Sequence, residues 1–157
     1  MFYYPNSYHI IIWGEVVEVI SVNEENIKDV INFLNELAVI NDVNYEVVMN
    51  GEFVFEDKII GLLSFEQFNK IGLIRYFIFK KVVPSALIFT LFNKIVEKAK
   101  RKTIDSLITM VVKNEAIEIF KELGFNNIEK EDVYIEEMNI MDSKFKDAVV
   151  LRYNIEK

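Results

Sequence analysis

Residues 71–112 constrain the fold of this 157-residue chain more than any other stretch. Ile71–Phe79 has the composition of a strand, and Pro84 then suits the first turn of a helix. Residues 104–112 form a short apolar run that is typical of a buried strand. The intervening helix should bury one apolar stripe, made by Leu87, Ile88, Leu91, Ile95, Val96 and Ala99. A strand–helix–strand unit of this kind is parallel and right-handed.

An earlier strand and helix are predicted before this unit. Residues 16–20 have the composition of a strand. The tetrapeptide Ser21-Val22-Asn23-Glu24 has the form of a capping box, which predicts a helix start. The helix that follows should turn one apolar stripe to the core, formed by Ile27, Val30, Ile31, Leu34 and Leu37.

Between the two helices the sequence indicates a run of antiparallel strands. Tyr45–Met49 and residues 53–55 flank Asn50-Gly51, a dipeptide suited to the positive φ angles of a tight hairpin turn. Lys58–Phe68 predicts the next strand, followed by Ile71–Phe79. We therefore expect a meander of four strands.

The C-terminal third predicts a short helix and two strands. Residues 114–123 read as the helix, and Gly124 as its left-handed C-terminal stop. Residues 133–138 and 148–155 read as strands. The order of elements predicts an α/β fold with a central mixed, mostly antiparallel sheet and helices on both faces. With no linker-like segment, residues 1–157 should form a single domain.

Composition excludes several classes of function. The chain has no cysteine, which rules out disulfides, thiolate metal sites and a cysteine nucleophile. His9 is the sole histidine, and one histidine cannot build a metal site. A net charge of −7 argues against nucleic acid as a partner. Apolar runs are too short to span a membrane and no secretory signal is present, so we expect a cytoplasmic protein.

A C-terminal motif carries a family resemblance. Asn114, Phe120, Gly124 and Phe125 follow the spacing of the segment N-x-x-A-x-x-x-[YF]-x-x-x-G-F, with Ala116 one place early. This segment, together with the order of predicted elements over residues 16–155, resembles the GNAT acyltransferase superfamily.

The loop before the long helix corresponds in position to a second motif of the same family. GNAT proteins carry [QR]-x-x-G-x-[GA] there, and it binds acyl-CoA. In this chain Lys81 stands in place of Gln or Arg, Pro84 in place of the first Gly, and Ala86 matches. Pro84 removes one amide donor and adds a ring where glycine permits close approach.

The resemblance implies acetyl-CoA, or CoA, as the cofactor. Its diphosphate would rest on backbone amides at the start of the long helix, and its pantetheine arm on the backbone of the preceding strand. That strand would splay from the strand at residues 104–112. The implied cofactor-binding residues are Phe77, Ile78, Phe79, Lys80, Lys81, Ser85, Ala86, Asn114 and Phe120. Asn114 is read first as a helix N-cap, which is compatible with a cofactor contact.

Two residues are candidates for catalysis. Many GNAT proteins protonate the leaving thiolate with a tyrosine at the position of Phe120, which has no proton to donate. Tyr134 is predicted to take this role, with Tyr76 and Tyr153 as alternatives. Glu66 is chosen as general base, acting through water, ahead of Glu52.

Three functions remain open. The first is an acyl-CoA-dependent N-acetyltransferase that moves an acetyl group to a small-molecule or peptide amine by direct attack. The second, favoured by Pro84 and Phe120, is a catalytically inactive GNAT-like module for ligand binding or protein interaction, and a homodimer is one form it could take. The third is an unrelated α/β binding domain. The aromatic N-terminus is expected to add an edge strand.

Overall fold

The computed structural model describes residues 8–12, 15–37, 43–129, 134–135, 138–139 and 148–156. The chain divides into two compact units. The first comprises Met1–Glu66 and Arg75–Lys98, and the second comprises Gln67–Ile74 and Ala99–Lys157. The prediction of a single domain over residues 1–157 stays a prediction.

The first unit is built on an antiparallel sheet. Its order is β1 (Tyr8–Ile12), β2 (Glu15–Ser21), β3 (Glu52–Glu56), β4 (Lys58–Phe68) and the second half of β5 (Ile71–Phe79). The edge position of β1 confirms the expected N-terminal edge strand. A bulge between Val54 and Phe55 shifts the register of β3 on β4.

Three helices accompany this sheet: α1 (Ile27–Glu36), α2 (Tyr45–Met49) and α3 (Ser85–Arg101), the last as far as Lys98. The predicted stripe of α1 is confirmed, since Ile27, Val30 and Leu34 are buried. They pack in one cluster with Ile20, Val48, Phe53 and Leu62. The stripe of α3 is confirmed as well, with Leu87, Leu91, Ile95 and Ala99 fully buried.

The predicted strand at Tyr45–Met49 is wrong, because these residues form α2. The Asn44 side chain accepts hydrogen bonds from the amides of Glu46 (3.0 Å) and Val47 (3.3 Å), which caps the helix. Asn50 ends α2 with a φ of −79°, so it does not make the hairpin turn expected of Asn50-Gly51. A β-branched pair, Val47 and Val48, suggested a strand, but a local cap and burial decided for a helix.

The predicted capping box at Ser21–Glu24 is also wrong. Asn26 occupies the N-cap position of α1, and its side-chain amide donates to the Ser21 carbonyl oxygen at 3.0 Å. The Ser21 hydroxyl donates instead to a Glu52 carboxylate oxygen at 2.8 Å. A partner 31 positions away therefore takes the hydroxyl that the local motif would have used.

Glu52 is the centre of a buried ionic cluster in the first unit. Its side chain is 0% exposed at the start of β3. Lys94 Nζ lies 3.8 Å from one carboxylate oxygen and Lys98 Nζ lies 3.5 Å from the other, and both lysine side chains are 12% exposed. Lys98 Nζ also donates to the Gly51 carbonyl oxygen at 2.8 Å. The cluster fixes α3 against the start of β3.

The second unit contains a parallel strand pair. The first half of β5 pairs in parallel with β6 (Ser106–Val111), through Ile71–Leu73 and Ser106–Ile108. β10 (Val149–Asn154) pairs antiparallel with β6 and with β7 (Asn126–Asn127). The parallel arrangement predicted for the strands on either side of α3 is confirmed.

α4 (Asn114–Glu122) follows β6 in the second unit. Phe120 is buried and its ring meets Phe125 edge-on at 5.1 Å, while Phe125 contacts Tyr153. Gly124 has a φ of 108°, which confirms the predicted left-handed stop. The N-cap prediction for Asn114 is wrong, because Lys113 holds that position and Asn114 begins the helix.

The strand predicted at residues 133–138 is not a single strand. Tyr134–Ile135 (β8) pairs antiparallel with Met138–Asn139 (β9), and Val133 lies outside the described residues. No helix within the described residues is long and apolar enough to cross a membrane. The predicted fold class is confirmed: the sheet is mixed and mostly antiparallel, and helices flank it.

Candidate functional site

The end of β5, the start of α3 and the loop between them hold seven of the nine residues predicted to bind a cofactor. The ladder of β5 with β6 covers Ile71–Leu73, whereas β5 runs on to Phe79. Tyr76 and Ile78 pack on the core of the first unit, and Phe77 meets Phe79 edge-on at 5.4 Å. Side chains therefore anchor this half of the strand, and the β5 edge beyond Leu73 lies outside that ladder.

Gly61 on β4 makes room for the end of β5. A Cβ at Gly61 would lie 2.6 Å from Cε1 of Phe79 and 3.3 Å from the Ile78 carbonyl oxygen. The Lys80 amide donates to the Ile60 carbonyl oxygen at 2.8 Å, so the two strands stay paired at this point. The position of Phe79 thus depends on a glycine opposite it.

We expect Gly61→Ala to lower the free energy of unfolding by about 2 kcal/mol, because the new methyl group overpacks against the Phe79 ring. Urea denaturation measures the change. Combining it with Phe79→Leu should recover part of the loss, because a smaller side chain accommodates the methyl group. Purely additive losses in the double variant would show that the ring contact is not the cause.

Lys80 and Lys81, the two predicted phosphate-contacting lysines, both form ion pairs. Lys80 Nζ lies 2.8 Å from a Glu36 carboxylate oxygen of α1, and 5.2 Å from the centre of the Phe33 ring. Lys81 Nζ lies 2.6 Å from a Glu56 carboxylate oxygen. The hydrogen bond from Lys80, and then its charge, lower the pKa of Glu36 below its ordinary value, and the charge of Lys58 adds to this.

The first turn of α3 presents backbone amides. The amides of Leu87 and Ile88 donate to the Pro84 carbonyl oxygen, which is therefore the first acceptor of the helix. Ser85 and Ala86 are exposed, and their amides belong to the turn in which a helix offers no acceptor. Pro84 directly precedes the helix and contributes no donor.

A cavity of about 360 Å³ opens in the first unit between α1, β3 and β4. Its floor is apolar, made by Phe33, Phe53, Phe55 and Ile59. Its rim is polar, made by Asp29, Asn32, Glu36, Lys58 and Lys80. A volume of this size is typical of small-molecule sites. Lys80 therefore belongs both to the predicted cofactor loop and to this cavity.

The candidate acids and bases differ in their exposure and in their hydrogen-bond and ion-pair partners. Glu66 on β4 is 27% exposed, and its carboxylate lies 3.4 Å from the Arg75 guanidinium. Glu52, the rejected alternative, is fully buried in its lysine cluster and cannot reach a substrate. The Tyr76 hydroxyl accepts a hydrogen bond from the Asn44 amide at 3.3 Å, which ties it to the start of α2.

The remaining predicted site residues belong to the second unit. Asn114 is exposed at the start of α4, and Phe120 is buried among aromatic rings. Tyr134 begins β8, and its side chain lies outside the described part of the structure. The cofactor and catalytic roles given to these three residues stay predictions.

The polar rim that α1 contributes to the cavity was not predicted from the sequence. Asp29, Asn32 and Glu36 lie on one stripe with Phe33, at the spacing of successive helical turns. That spacing was visible in the sequence. A polar stripe next to an apolar one is normally a solvated helix face, so only the structure could show that it borders a cavity.

The likeness of this chain to known proteins is structural. A scan against protein-family models found no match, and a search of curated proteins found none either. Solved structures do match. N-acetylglutamate synthase from Neisseria gonorrhoeae, complexed with coenzyme A and L-arginine, is similar over 90% of this chain, with a TM-score of 0.67 and 14% identity. The chain spans 34% of that protein.

Two further similar structures are of the chain's own size. An acetyltransferase from Streptococcus agalactiae matches with a TM-score of 0.62 and 12% identity, over 91% of this chain and 99% of that one. A GNAT-family acetyltransferase from Streptococcus pneumoniae matches with a TM-score of 0.62 and 19% identity, over 88% and 99%. The chain therefore has the fold of the GNAT acetyltransferases, as its sequence predicted.

Proposed function

We propose that this protein is an acyl-CoA-dependent N-acetyltransferase, which moves an acetyl group from acetyl-CoA to an amine by direct attack. The observation that carries the proposal is the half of β5 that extends beyond its ladder with β6 and leads directly into α3. Similarity to a structure that contains coenzyme A supports the same reading.

The residues around the start of α3 fit an anionic cofactor. The exposed Ser85 and Ala86 amides provide donors at the positive end of a 17-residue helix. Lys80 and Lys81 provide two cations just before it. Each cation now faces a carboxylate, so a diphosphate would have to exchange one ion pair for another. Both pairs are at the surface, where such contacts hold weakly.

Each chemical step of the transfer has a proposed residue. Acetyl-CoA supplies a thioester that an amine can attack. Glu66 is proposed to accept the proton of the amine through water, and Tyr134 to protonate the leaving thiolate. The chain has no cysteine that could carry the acetyl group as a thioester, which favours direct attack over a covalent enzyme intermediate.

The proposal is tested by calorimetric titration with CoA and acetyl-CoA. We expect saturable binding that Lys81→Ala weakens about tenfold, since a charged hydrogen bond to phosphate is lost. Glu56→Gln should strengthen binding, because it frees Lys81 from its competing carboxylate. Lys100→Ala, which removes an exposed charge at the far end of α3, should leave the affinity unchanged.

Two results would contradict the proposal. If CoA does not bind at millimolar concentration, CoA and acetyl-CoA are not cofactors of this protein. Equal weakening by Lys81→Ala and Lys100→Ala would show a general charge effect and no phosphate site.

The second candidate function is a GNAT-fold binding module without turnover. It is favoured by Pro84, which leaves the cofactor loop one donor short, and by the ring of Phe120, which offers no hydroxyl. Saturable CoA binding without release of free thiol in the presence of any of a panel of small amines and peptides would favour this module. Release of thiol that depends on the amine would favour the transferase.

A further inference from the structure

The rim of the α1 cavity carries opposite charges at its two ends. Asp29 and Glu36 are seven residues apart on α1, which separates them by about 10 Å along the helix axis. Within the described residues, Asp29 has no ion-pair partner closer than 4.0 Å. The N-terminal end of the cavity therefore carries one negative charge, which has no ion-pair partner among the described residues.

The other end of the cavity carries an excess positive charge. Lys80 pairs there with Glu36 at 2.8 Å. Lys58 also lines the cavity and is close enough to act electrostatically on Glu36. Among the residues that line this end of the cavity, two ammonium groups face one carboxylate, so the lining carries one more positive than negative charge.

Apolar side chains connect the two ends. Phe33 is buried, and Phe55 and Ile59 are half-buried, so part of each side chain faces the cavity. An apolar chain laid on this floor would exclude water from it. Charged groups at the two ends of such a chain would then lie against cavity residues of the opposite charge.

We infer that this cavity binds a small ω-amino carboxylate, with its ammonium group at Asp29, its carboxylate at Lys58, and its apolar chain on Phe33, Phe55 and Ile59. The inference goes beyond the proposed function and does not require it, because none of these contacts involves CoA. An α-amino acid would fit less well, since its ammonium and carboxylate groups are bonded to the same carbon while the charges of the cavity lie at opposite ends.

The test uses 6-aminohexanoate, titrated into the full chain without any cofactor and followed by NMR chemical shifts. L-Norleucine is the matched control, because it is an isomer with the same two charges placed side by side. Hexylamine and hexanoate each lack one charge. We expect 6-aminohexanoate to bind at least about threefold more tightly than each of the other three.

Variants locate the two ends. Asp29→Asn and Lys58→Gln should each weaken 6-aminohexanoate binding about threefold, and hexylamine binding should respond only to Asp29→Asn. Glu25→Gln and Lys28→Gln change the same charges at exposed positions outside the cavity and should leave binding unchanged. Thermal unfolding of each variant checks that it remains folded.

Norleucine binding as tight as 6-aminohexanoate would overturn the inference, because charge separation would then not matter. Equal effects of the cavity and control variants would overturn it as well. Because CoA binding is measured in a separate titration, failure of this inference and failure of the proposed transferase remain distinguishable.

Discussion

Glu52→Gln is expected to lower the free energy of unfolding by about 3 kcal/mol, which is the scale on which breaking a buried ion pair acts. The carboxylate is fully buried and faces two lysines, Lys94 and Lys98, that are only 12% exposed. A neutral amide would remove the negative charge that faces both ammonium groups in this buried cluster. In thermal denaturation, a loss of this size lowers the Tm of a 150–250-residue protein by roughly 6–12 °C.

The control is the same substitution at Glu66. Its ion pair with Arg75 is partly exposed, with the two side chains 27% and 39% accessible. Such pairs contribute about 0–1 kcal/mol, so Glu66→Gln should barely change the Tm. Equal shifts for the two variants would show that the Glu52 cluster is not a structural element of the first unit.

Glu66→Gln is expected instead to lower kcat about 100-fold, since this is the lower range of what a general base contributes. The assay follows thiol release from acetyl-CoA with the amine that the wild-type protein acetylates fastest. CoA affinity should remain as in the wild type, because glutamine keeps the size of the side chain and Glu66 is not among the proposed cofactor contacts. The rate of the variant should rise with pH, as the amine loses its proton without help.

Glu97→Gln provides the matched control for this experiment, because Glu97 is exposed on α3. It should keep the wild-type kcat. A wild-type rate for Glu66→Gln would refute the proposed role of Glu66. It would leave the transferase proposal itself standing, because the cofactor titration tests that separately.

Long elements with a clear period were predictable from sequence. The stripes of α1 and α3 rest on 10 and 17 residues, and both are buried as expected. β4 and β5 were predicted with the bounds Lys58–Phe68 and Ile71–Phe79, which the structure confirms. Gly124 was predictable because only a local backbone angle was needed.

Short elements and caps were not predictable in the same way. Tyr45–Met49 spans five residues, too few for a helical period to stand out against a β-branched pair. The Ser21 hydroxyl could have capped α1, yet it donates a hydrogen bond to the Glu52 carboxylate. At Tyr45–Met49 the Asn44 cap and the burial of Val47 and Val48 decided for a helix, and at Ser21 a distant carboxylate took the hydroxyl.

Some features of the candidate site could likewise be predicted from the sequence, and others could not. The family resemblance predicted a cofactor loop with Lys80, Lys81, Ser85 and Ala86, and this placement stays a proposal. Sequence could not show that Lys80 pairs with Glu36, 44 positions away. Nor could it show that Glu66 is accessible while Glu52 is buried, because both lie in similar apolar surroundings along the chain.

Periodicity along the chain was enough to predict the type and order of the long helices and strands, and together with the motif at residues 114–125 this order predicted the GNAT fold. It could do so because burial on one face repeats along each element and needs no knowledge of the partner. The tertiary structure alone decided the Glu52 cluster, the lysine–carboxylate pairs and the charged cavity under α1. These features depend on which residues far apart in the sequence meet in space, because charge interactions weaken with distance and with screening by salt.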